Sequence, residues 1–353
     1  MRIASIECGR VLAILAVMVI HTSPFANPFD PTLWSEPFYL YLGGVINQFC
    51  RFAVPFFFLC AGFFLQPKLA GAGRWGALWR YCRPLLLLWG IWSLLYMLIP
   101  FNPFAALSEG YVAAMQPQWQ MLLADPLNQW WVGGMVHLWF LPALMLAALL
   151  LSLSYQLGAL RWALWLGSLL YLLALAGGSY GKPLFGAEWA LLTRNGPFFS
   201  LLFVALGALI RERGLHMASA VALGWMGVGL LIYLLEALLL YTQWQVPFIR
   251  HDFLLGSVPW ALGLFWWLQA NPEWGSGTWC ERLSPAVPGL YCLHMLLVIW
   301  IFPIGLALMS PLWELAKLPL VLAGTLLLYA LLRRLPGSGW LLRGAAGVAT
   351  PSR

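Results

Sequence analysis

The chain has 353 residues, of which 62% are hydrophobic and only 9% are charged, and its mean hydropathy is +0.81. This composition excludes a soluble globular domain and is typical of a protein that lies in a lipid bilayer. The formal net charge of +7 does not indicate nucleic-acid binding. The basic residues are scattered between apolar segments rather than gathered on one polar face.

Apolar segments bounded by polar residues, Pro or Gly predict an all-α integral membrane protein, a bundle of about ten transmembrane helices. We expect a single transmembrane domain over residues 1–340 and a short cytoplasmic tail over residues 341–353. In chain order, the predicted spans are 6–26, 42–66, 84–100, 137–157, 162–178, 197–210, 217–240, 252–270, 286–305 and 317–335.

The positions of Lys and Arg predict the orientation of these helices, because cytoplasmic loops retain basic residues. A cytoplasmic N-terminus leaves few basic residues in the outer loops, so both termini are predicted to be cytoplasmic. Two outer loops are then long, residues 101–136 and 178–197. They are either connecting segments or a mouth that receives a substrate from outside.

The first predicted helix carries Arg10 and His21, eleven positions apart. Eleven steps close almost three helical turns, so both side chains project from one face, about 16 Å apart along the axis. A neutral imidazole can act as a general base, and a guanidinium suits phosphate. In the alternative interpretation, Arg10 pairs with Glu7 at the inner interface and His21 satisfies a polar neighbour.

The second predicted span carries Arg51 about nine residues from its outer end, roughly 14 Å deep. An arginine at that depth needs a carboxylate, a carbonyl or a water-filled cavity. Glu236 in the seventh span is the one candidate counter-charge. Arg51 is therefore either a site residue that orients a substrate or stabilises an oxyanion, or half of a structural pair with Glu236.

Other charged and titratable residues divide by their position in the predicted helices. His294 lies near the middle of the ninth span, whereas His137 begins a span at the outer interface. His251, beside Asp252 and Arg250, is predicted to belong to a solvated cluster at a helix end. His216 is predicted to be an ordinary residue of a cytoplasmic turn. The six cysteines have no metal-ligand spacing, so no metal is expected.

Several segments resemble the acyltransferase-3 family of multispanning membrane O-acyltransferases. Arg10 to His21 matches the R-x10-H pattern of its first helix, and Arg80-Tyr-Cys-Arg83 matches its RxxR motif. Three further segments resemble parts of the family. Arg51–Leu65 is similar to its second span, His137–Leu141 to the start of a middle span, and Leu290–His294 to its Tyr-x-x-His motif. These pieces follow the family order over about residues 1–305, and the branch they most resemble is the O-acetyltransferase that acts on enterobacterial common antigen.

The resemblance implies transfer of an acyl group, acetyl by default, from cytoplasmic acyl-coenzyme A (acyl-CoA) to a hydroxyl of an extracytoplasmic carbohydrate or lipid-linked glycan. The expected location is the bacterial inner membrane, and the expected partners are acyl-CoA, the glycan acceptor and membrane lipids. Residues 1–340 would form the acyltransferase-3 domain. The implied catalytic residues are His21, Arg51, His137 and His294, and the implied donor-binding residues are Arg10, Arg80 and Arg83.

A second function remains open from the sequence. A carrier or flippase for a lipid-linked saccharide can also line its path with Arg51, Glu236 and the histidines. Such a protein moves its substrate without consuming a thioester. Arg80 and Arg83 have an alternative of their own, because the preference of cytoplasmic loops for basic residues explains them without a ligand.

Overall fold

The computed structural model describes residues 3–26 and 34–344, and in these ranges all regular secondary structure is helical. The first eight α-helices are α1 (Ala4–Thr22), α2 (Pro37–Phe49), α3 (Ala53–Leu69), α4 (Arg74–Leu98), α5 (Pro103–Ser108), α6 (Tyr111–Ala124), α7 (Pro126–Val132) and α8 (Phe140–Gln156). The remaining nine are α9 (Arg161–Gly177), α10 (Gly181–Phe185), α11 (Pro197–Arg213), α12 (Ser219–Trp244), α13 (Ser257–Ala270), α14 (Trp279–Leu283), α15 (Val287–Leu308), α16 (Pro311–Leu332) and α17 (Gly339–Arg343).

Seven helical segments of the described residues are long and apolar enough to cross a membrane. They are Ala4–Thr22, Pro37–Leu69, Arg74–Leu98, Val136–Gln156, Ser219–Trp244, Trp279–Leu308 and Pro311–Leu332. Helices α9, α11 and α13 occupy the other three predicted positions, but they have 17, 17 and 14 residues. At 1.5 Å per residue they fall short of a hydrocarbon core of about 30 Å. The all-helical, multi-pass architecture is confirmed, whereas the count of ten crossings and the cytoplasmic termini stay predictions.

The chain divides into two compact units. The first unit comprises Met1–Leu78 and Leu146–Ser284, and the second comprises Trp79–Met145 and Pro285–Arg353. Most of the predicted cytoplasmic tail, residues 345–353, lies outside the described residues.

Close backbone contact between α3 and α11 forms the centre of the first unit. A Cβ atom at Gly62 would collide with the carbonyl oxygen of Val204, and one at Gly207 would collide with that of Leu59. Small residues let membrane helices approach closely where apolar burial alone gives no driving force. Helices α12 and α13 pack in the same way, with Gly229 against the backbone of Trp260.

In the second unit, α4 packs with α15, α16 and α17 around a core that includes Trp92, Leu138 and Leu293. The predicted outer loop 101–136 is helical in three places. Asn102 and Asp125 cap α5 and α7, each followed by a proline that suits the first turn of a helix. Side chains of α6 donate to the last carbonyls of α4: the Tyr111 hydroxyl to Leu98 at 2.9 Å and the Trp119 indole to Met97 at 3.0 Å. These bonds satisfy carbonyls that have no partner within α4.

Candidate functional site

Helix α1 carries Arg10 and His21 without interruption. A nitrogen of Arg10 lies 3.0 Å from the Glu7 carboxylate, and the Ser284 hydroxyl donates to the same carboxylate. The predicted Glu7 pair therefore forms, although 30% of the Arg10 side chain stays exposed. His21 is partly buried in the last turn, just before Ser23 ends the helix in a left-handed conformation. One rigid helix thus fixes the spacing of the guanidinium and the imidazole.

Arg51 lies between α2 and α3, and its side chain is only 8% exposed. Its Nε donates to Asn47 at 2.9 Å, and its two terminal nitrogens donate to the Asp252 carboxylate at 2.7 Å and to the Ile249 carbonyl at 3.0 Å. The prediction that Glu236 is the counter-charge of Arg51 is wrong. Asp252 takes that place because residues 248–252 fold against α2 and α12 instead of ending a helix in solvent.

Asp252 binds two guanidinium groups. Its second carboxylate oxygen lies 2.7 Å from a nitrogen of Arg194, a residue of the predicted outer loop 178–197. Burial of Asp252 raises the pKa of its carboxyl, but the charges of Arg194 and Arg51 outweigh burial and hold that pKa below its usual value. The cluster Arg51–Asp252–Arg194 therefore holds two positive charges and one negative charge at neutral pH.

Glu236 has a different function in the structure. Its carboxylate accepts the backbone N–H groups of Gly256 at 2.8 Å and Leu255 at 3.2 Å, and also the Tyr180 hydroxyl. Both amides lie directly before α13. A carboxylate at a helix N-terminus satisfies free N–H groups and interacts favourably with the helix dipole. Glu236 thus fixes the start of α13.

His251 is fully buried, so its prediction as a solvated residue is wrong. Its carbonyl accepts the Tyr233 hydroxyl at 3.2 Å, but among the described residues neither ring nitrogen has a hydrogen-bond partner. Burial, followed by the charge of Arg51, lowers the pKa of His251 to about 4, and Asp252 opposes this only in part. The ring is neutral at physiological pH. The apolar residues around it in the sequence, Phe248, Ile249 and Phe253, are the signal that could have predicted burial.

Two histidines lie together in the second unit. The rings of His137 and His294 are buried with centroids 5.2 Å apart, and the His137 ring also lies 5.1 Å from Tyr291 and 5.5 Å from Tyr96. The Tyr291 hydroxyl donates to the His137 carbonyl. Two predicted site residues that are far apart in the sequence therefore meet in one cluster.

The hydrogen bonds of His294 determine which ring nitrogen carries the proton. Its Nδ1 lies 2.7 Å from the Tyr291 carbonyl and 3.2 Å from the Leu290 carbonyl. Because carbonyl oxygens only accept, Nδ1 carries the hydrogen, and the lone pair of the neutral ring is on Nε2. Helix α15 thus orients Nε2 as the basic atom.

Arg80 and Arg83 are exposed on α4, three residues apart and therefore on one side of the helix. They belong to the second unit with His137 and His294, whereas Arg10, His21 and Arg51 belong to the first. Among the described residues, no three His, Cys, Asp or Glu side chains lie together in a way that could hold a metal ion.

Comparison with known proteins identifies the family of the chain. Residues 3–332 match an acyltransferase domain, the one that defines the acyltransferase-3 family. The chain belongs to the acyltransferase-3 family. This finding confirms the family resemblance of the motifs and covers nearly the whole chain. The expected branch, that of the enterobacterial common antigen O-acetyltransferase, stays a prediction.

Curated relatives of this acyltransferase-3 chain are named as racemases. A serine/alanine racemase of Enterococcus gallinarum is 27% identical over 309 residues, which make up 83% of this chain and 40% of that protein. Two amino-acid racemases of Enterococcus faecalis are 29% and 28% identical over 221 and 220 residues, or 59% and 58% of this chain and 28% and 29% of those proteins. The chain therefore spans less than half the length of these relatives. No solved structure matches it.

Proposed function

We propose that the protein is an O-acyltransferase of the bacterial inner membrane. It moves an acyl group, acetyl in the first instance, from cytoplasmic acyl-CoA to a hydroxyl of an extracytoplasmic or lipid-linked glycan. The observation that carries the proposal is the fixed pair of Arg10 and His21 on one uninterrupted helix of an acyltransferase-3 chain. A helix that crosses the membrane can bring a donor from one side to an acceptor from the other.

We assign binding of the donor's phosphates to Arg10, Arg80 and Arg83, as the family resemblance implies. The planar fork of a guanidinium forms paired hydrogen bonds with phosphate oxygens, and CoA carries several phosphates. Arg10 is partly exposed and Arg80 and Arg83 are exposed, so a ligand can reach these side chains. In the predicted topology all three lie toward the cytoplasm, where acyl-CoA is found.

The acceptor end contains His21. Its neutral imidazole removes the proton from the acceptor hydroxyl as the hydroxyl oxygen attacks the thioester carbonyl carbon. The tetrahedral intermediate collapses, the carbon–sulfur bond breaks, and the imidazolium returns its proton to the departing thiolate. The products are the acylated glycan and free CoA, and no proton or electron is left over. Coenzyme A itself does not cross the membrane.

The remaining predicted residues take supporting roles in this proposal. His294, whose ring lies next to that of His137, is proposed to contact the acceptor. Arg51 already uses its three nitrogens on Asn47, Asp252 and Ile249. We therefore assign it to holding the segment around Asp252 in place rather than to direct stabilisation of an oxyanion.

Racemisation and transport are both less well supported than acyl transfer. The matched parts make up only 28 to 40% of the racemases, so the activity in their names need not lie in the part that matches this chain. A carrier for a lipid-linked saccharide remains the rival from another class, because buried charges within a membrane protein also mark translocation paths. That rival predicts saccharide movement without release of a thiol.

The test uses purified protein in vesicles that contain native glycan lipids, with acetyl-CoA labelled in its acetyl group. We expect thiol release and incorporation of label into the glycan fraction. His21→Ala lowers both rates by at least about a hundredfold, the usual contribution of a general base. The control is His216→Ala, which changes an exposed histidine. Undiminished transfer by His21→Ala refutes the role of His21, and saccharide movement without thiol release favours the carrier.

A further inference from the structure

The loop between α16 and α17 contains a cavity of about 320 Å³ in the second unit. Seven consecutive residues, Arg333 to Gly339, line it. Arg333 and Arg334 are both exposed, and no ion pair involving either is found among the described residues. Two arginines that form no ion pair with the described residues therefore line this space.

Ser338 provides a second, independent observation at the same cavity. It occupies the N-cap position of α17, where a serine side chain usually accepts a backbone N–H, but it forms no such bond. The residue is only 3% exposed, and its hydroxyl has no hydrogen-bond partner within the described residues. A buried hydroxyl without a partner costs free energy, which a bound ligand or water can recover. The preference of cytoplasmic loops for basic residues explains the arginines but not this hydroxyl.

The surroundings of the loop are strongly basic. Helix α17 packs on α4, since the Trp92 indole donates to the Leu341 carbonyl at 2.8 Å and a Cβ at Gly344 would collide with the Pro84 carbonyl. This contact brings Arg343 close to the part of α4 that carries Arg83. The carboxylates of the second unit lie elsewhere in its described part: Asp125 caps α7, Glu109 follows α5, and Glu314 binds Lys317 in the first turn of α16.

We infer that this cavity binds a phosphate ester, with Arg333 and Arg334 as the paired donors. The buried Ser338 hydroxyl becomes a third donor once its side chain rotates toward the bound phosphate. Given the proposed function, the ester is the ribose 3′-phosphate of CoA. The loop would then hold the nucleotide end of the donor while Arg80 and Arg83 hold other phosphates. An anionic phospholipid headgroup has the same chemistry and is the other possible source, since the loop directly follows a membrane helix.

The test compares coenzyme A with 3′-dephospho-coenzyme A, which lacks only this phosphate. Both are titrated onto the full-length protein in nanodiscs of neutral lipid, and binding is measured by calorimetry. Wild-type protein is expected to bind CoA about tenfold or more tightly than the dephospho form. The Arg333→Gln/Arg334→Gln double variant loses this preference while its affinity for dephospho-CoA is unchanged. The control variant, Arg213→Gln/Arg282→Gln, removes two exposed arginines of the first unit and keeps the preference.

Ser338→Ala separates a binding role from a structural one. Because the hydroxyl has no protein partner, its removal leaves the thermal stability unchanged or slightly raised. If it binds phosphate, the same change lowers CoA affinity several-fold. Unchanged CoA affinity in both Ser338→Ala and the double arginine variant overturns the assignment to CoA.

A titration with phosphatidylglycerol in the same nanodiscs distinguishes the two sources. One outcome supports the site with a lipid headgroup as its ligand. In that outcome the lipid stabilises the wild-type protein but not the double variant, and the wild-type protein binds both forms of CoA equally well. If wild-type protein binds no CoA at all, the proposed donor fails, but this lipid measurement still tests the site. No difference between the double variant and its control with either ligand overturns the inference.

Discussion

Replacement of Asp252 tests the cluster Arg51–Asp252–Arg194 most sharply. It lies 2.7 Å from Arg51 and 2.7 Å from Arg194, and 24% of its side chain is exposed. Asp252→Asn keeps the shape and one accepting oxygen but leaves the buried Arg51 with only neutral partners. Removing one member of a buried ion pair costs about 3–5 kcal/mol. Because the amide oxygen still accepts one hydrogen bond, we expect a loss near the lower end, about 3 kcal/mol.

Chemical denaturation of the purified protein in detergent, followed by circular dichroism, measures this loss. The matched control is Glu188→Gln, which makes the same change of charge in a pair 3.9 Å from Arg250. Those two side chains are 40% and 62% exposed. Exposed pairs contribute about 0–1 kcal/mol, so the control is expected to be nearly neutral. Equal destabilisation by the two variants would refute the assignment of Asp252 as the counter-charge that stabilises Arg51.

Three further predictions concern pH, packing and donor binding. His251 has a pKa of about 4 in the folded protein and a usual value of 6.5, so the unfolded chain binds a proton first as pH falls. The contribution of the neutral His251 ring to the free energy of unfolding is fully present above pH 6.5, and it falls by about 3 kcal/mol as the pH approaches 4. Melting curves of wild type and His251→Gln should therefore diverge over this range, and parallel curves contradict the burial argument. Gly62→Ala should cost about 1–3 kcal/mol by forcing α3 and α11 apart, whereas Gly224→Ala, with open space around it, leaves denaturant stability unchanged or slightly raised. The Arg80→Gln/Arg83→Gln variant should raise the KM for acetyl-CoA about tenfold with little change in kcat, and an unchanged KM removes both residues from the donor site.

The helices were largely predictable from hydropathy. Each of the ten predicted apolar segments contains a helix, because continuous apolar sequence in lipid must satisfy its backbone internally. Hydropathy did not predict the break at residues 50–52 between α2 and α3. It also placed the start of the third helix at Pro84, whereas α4 begins at Arg74 and carries Pro84 inside it. Hydropathy did not predict the short helices α5, α6 and α7, because they are not long apolar segments.

The candidate site was predictable by residue type but not by partner. Arg51 needed a counter-charge at its depth, and this requirement is met. The partner is Asp252, 201 residues away, and a single sequence carries no signal for that pairing. Glu236 was predicted as the partner because it lies within a span, but its carboxylate instead accepts hydrogen bonds from the backbone amides just before α13. The meeting of His137 and His294 likewise depends on how the helical turn Val136–Trp139 and α15 are placed in the second unit, which periodicity does not reveal.

The most direct test of the account is mass spectrometry of surface glycans from cells that carry the wild-type gene, the His21→Ala variant or no gene. The account predicts an acyl-modified glycan with the wild-type gene alone, and the mass of the added group identifies the donor. Identical glycans in all three strains, or full modification with His21→Ala, would contradict it.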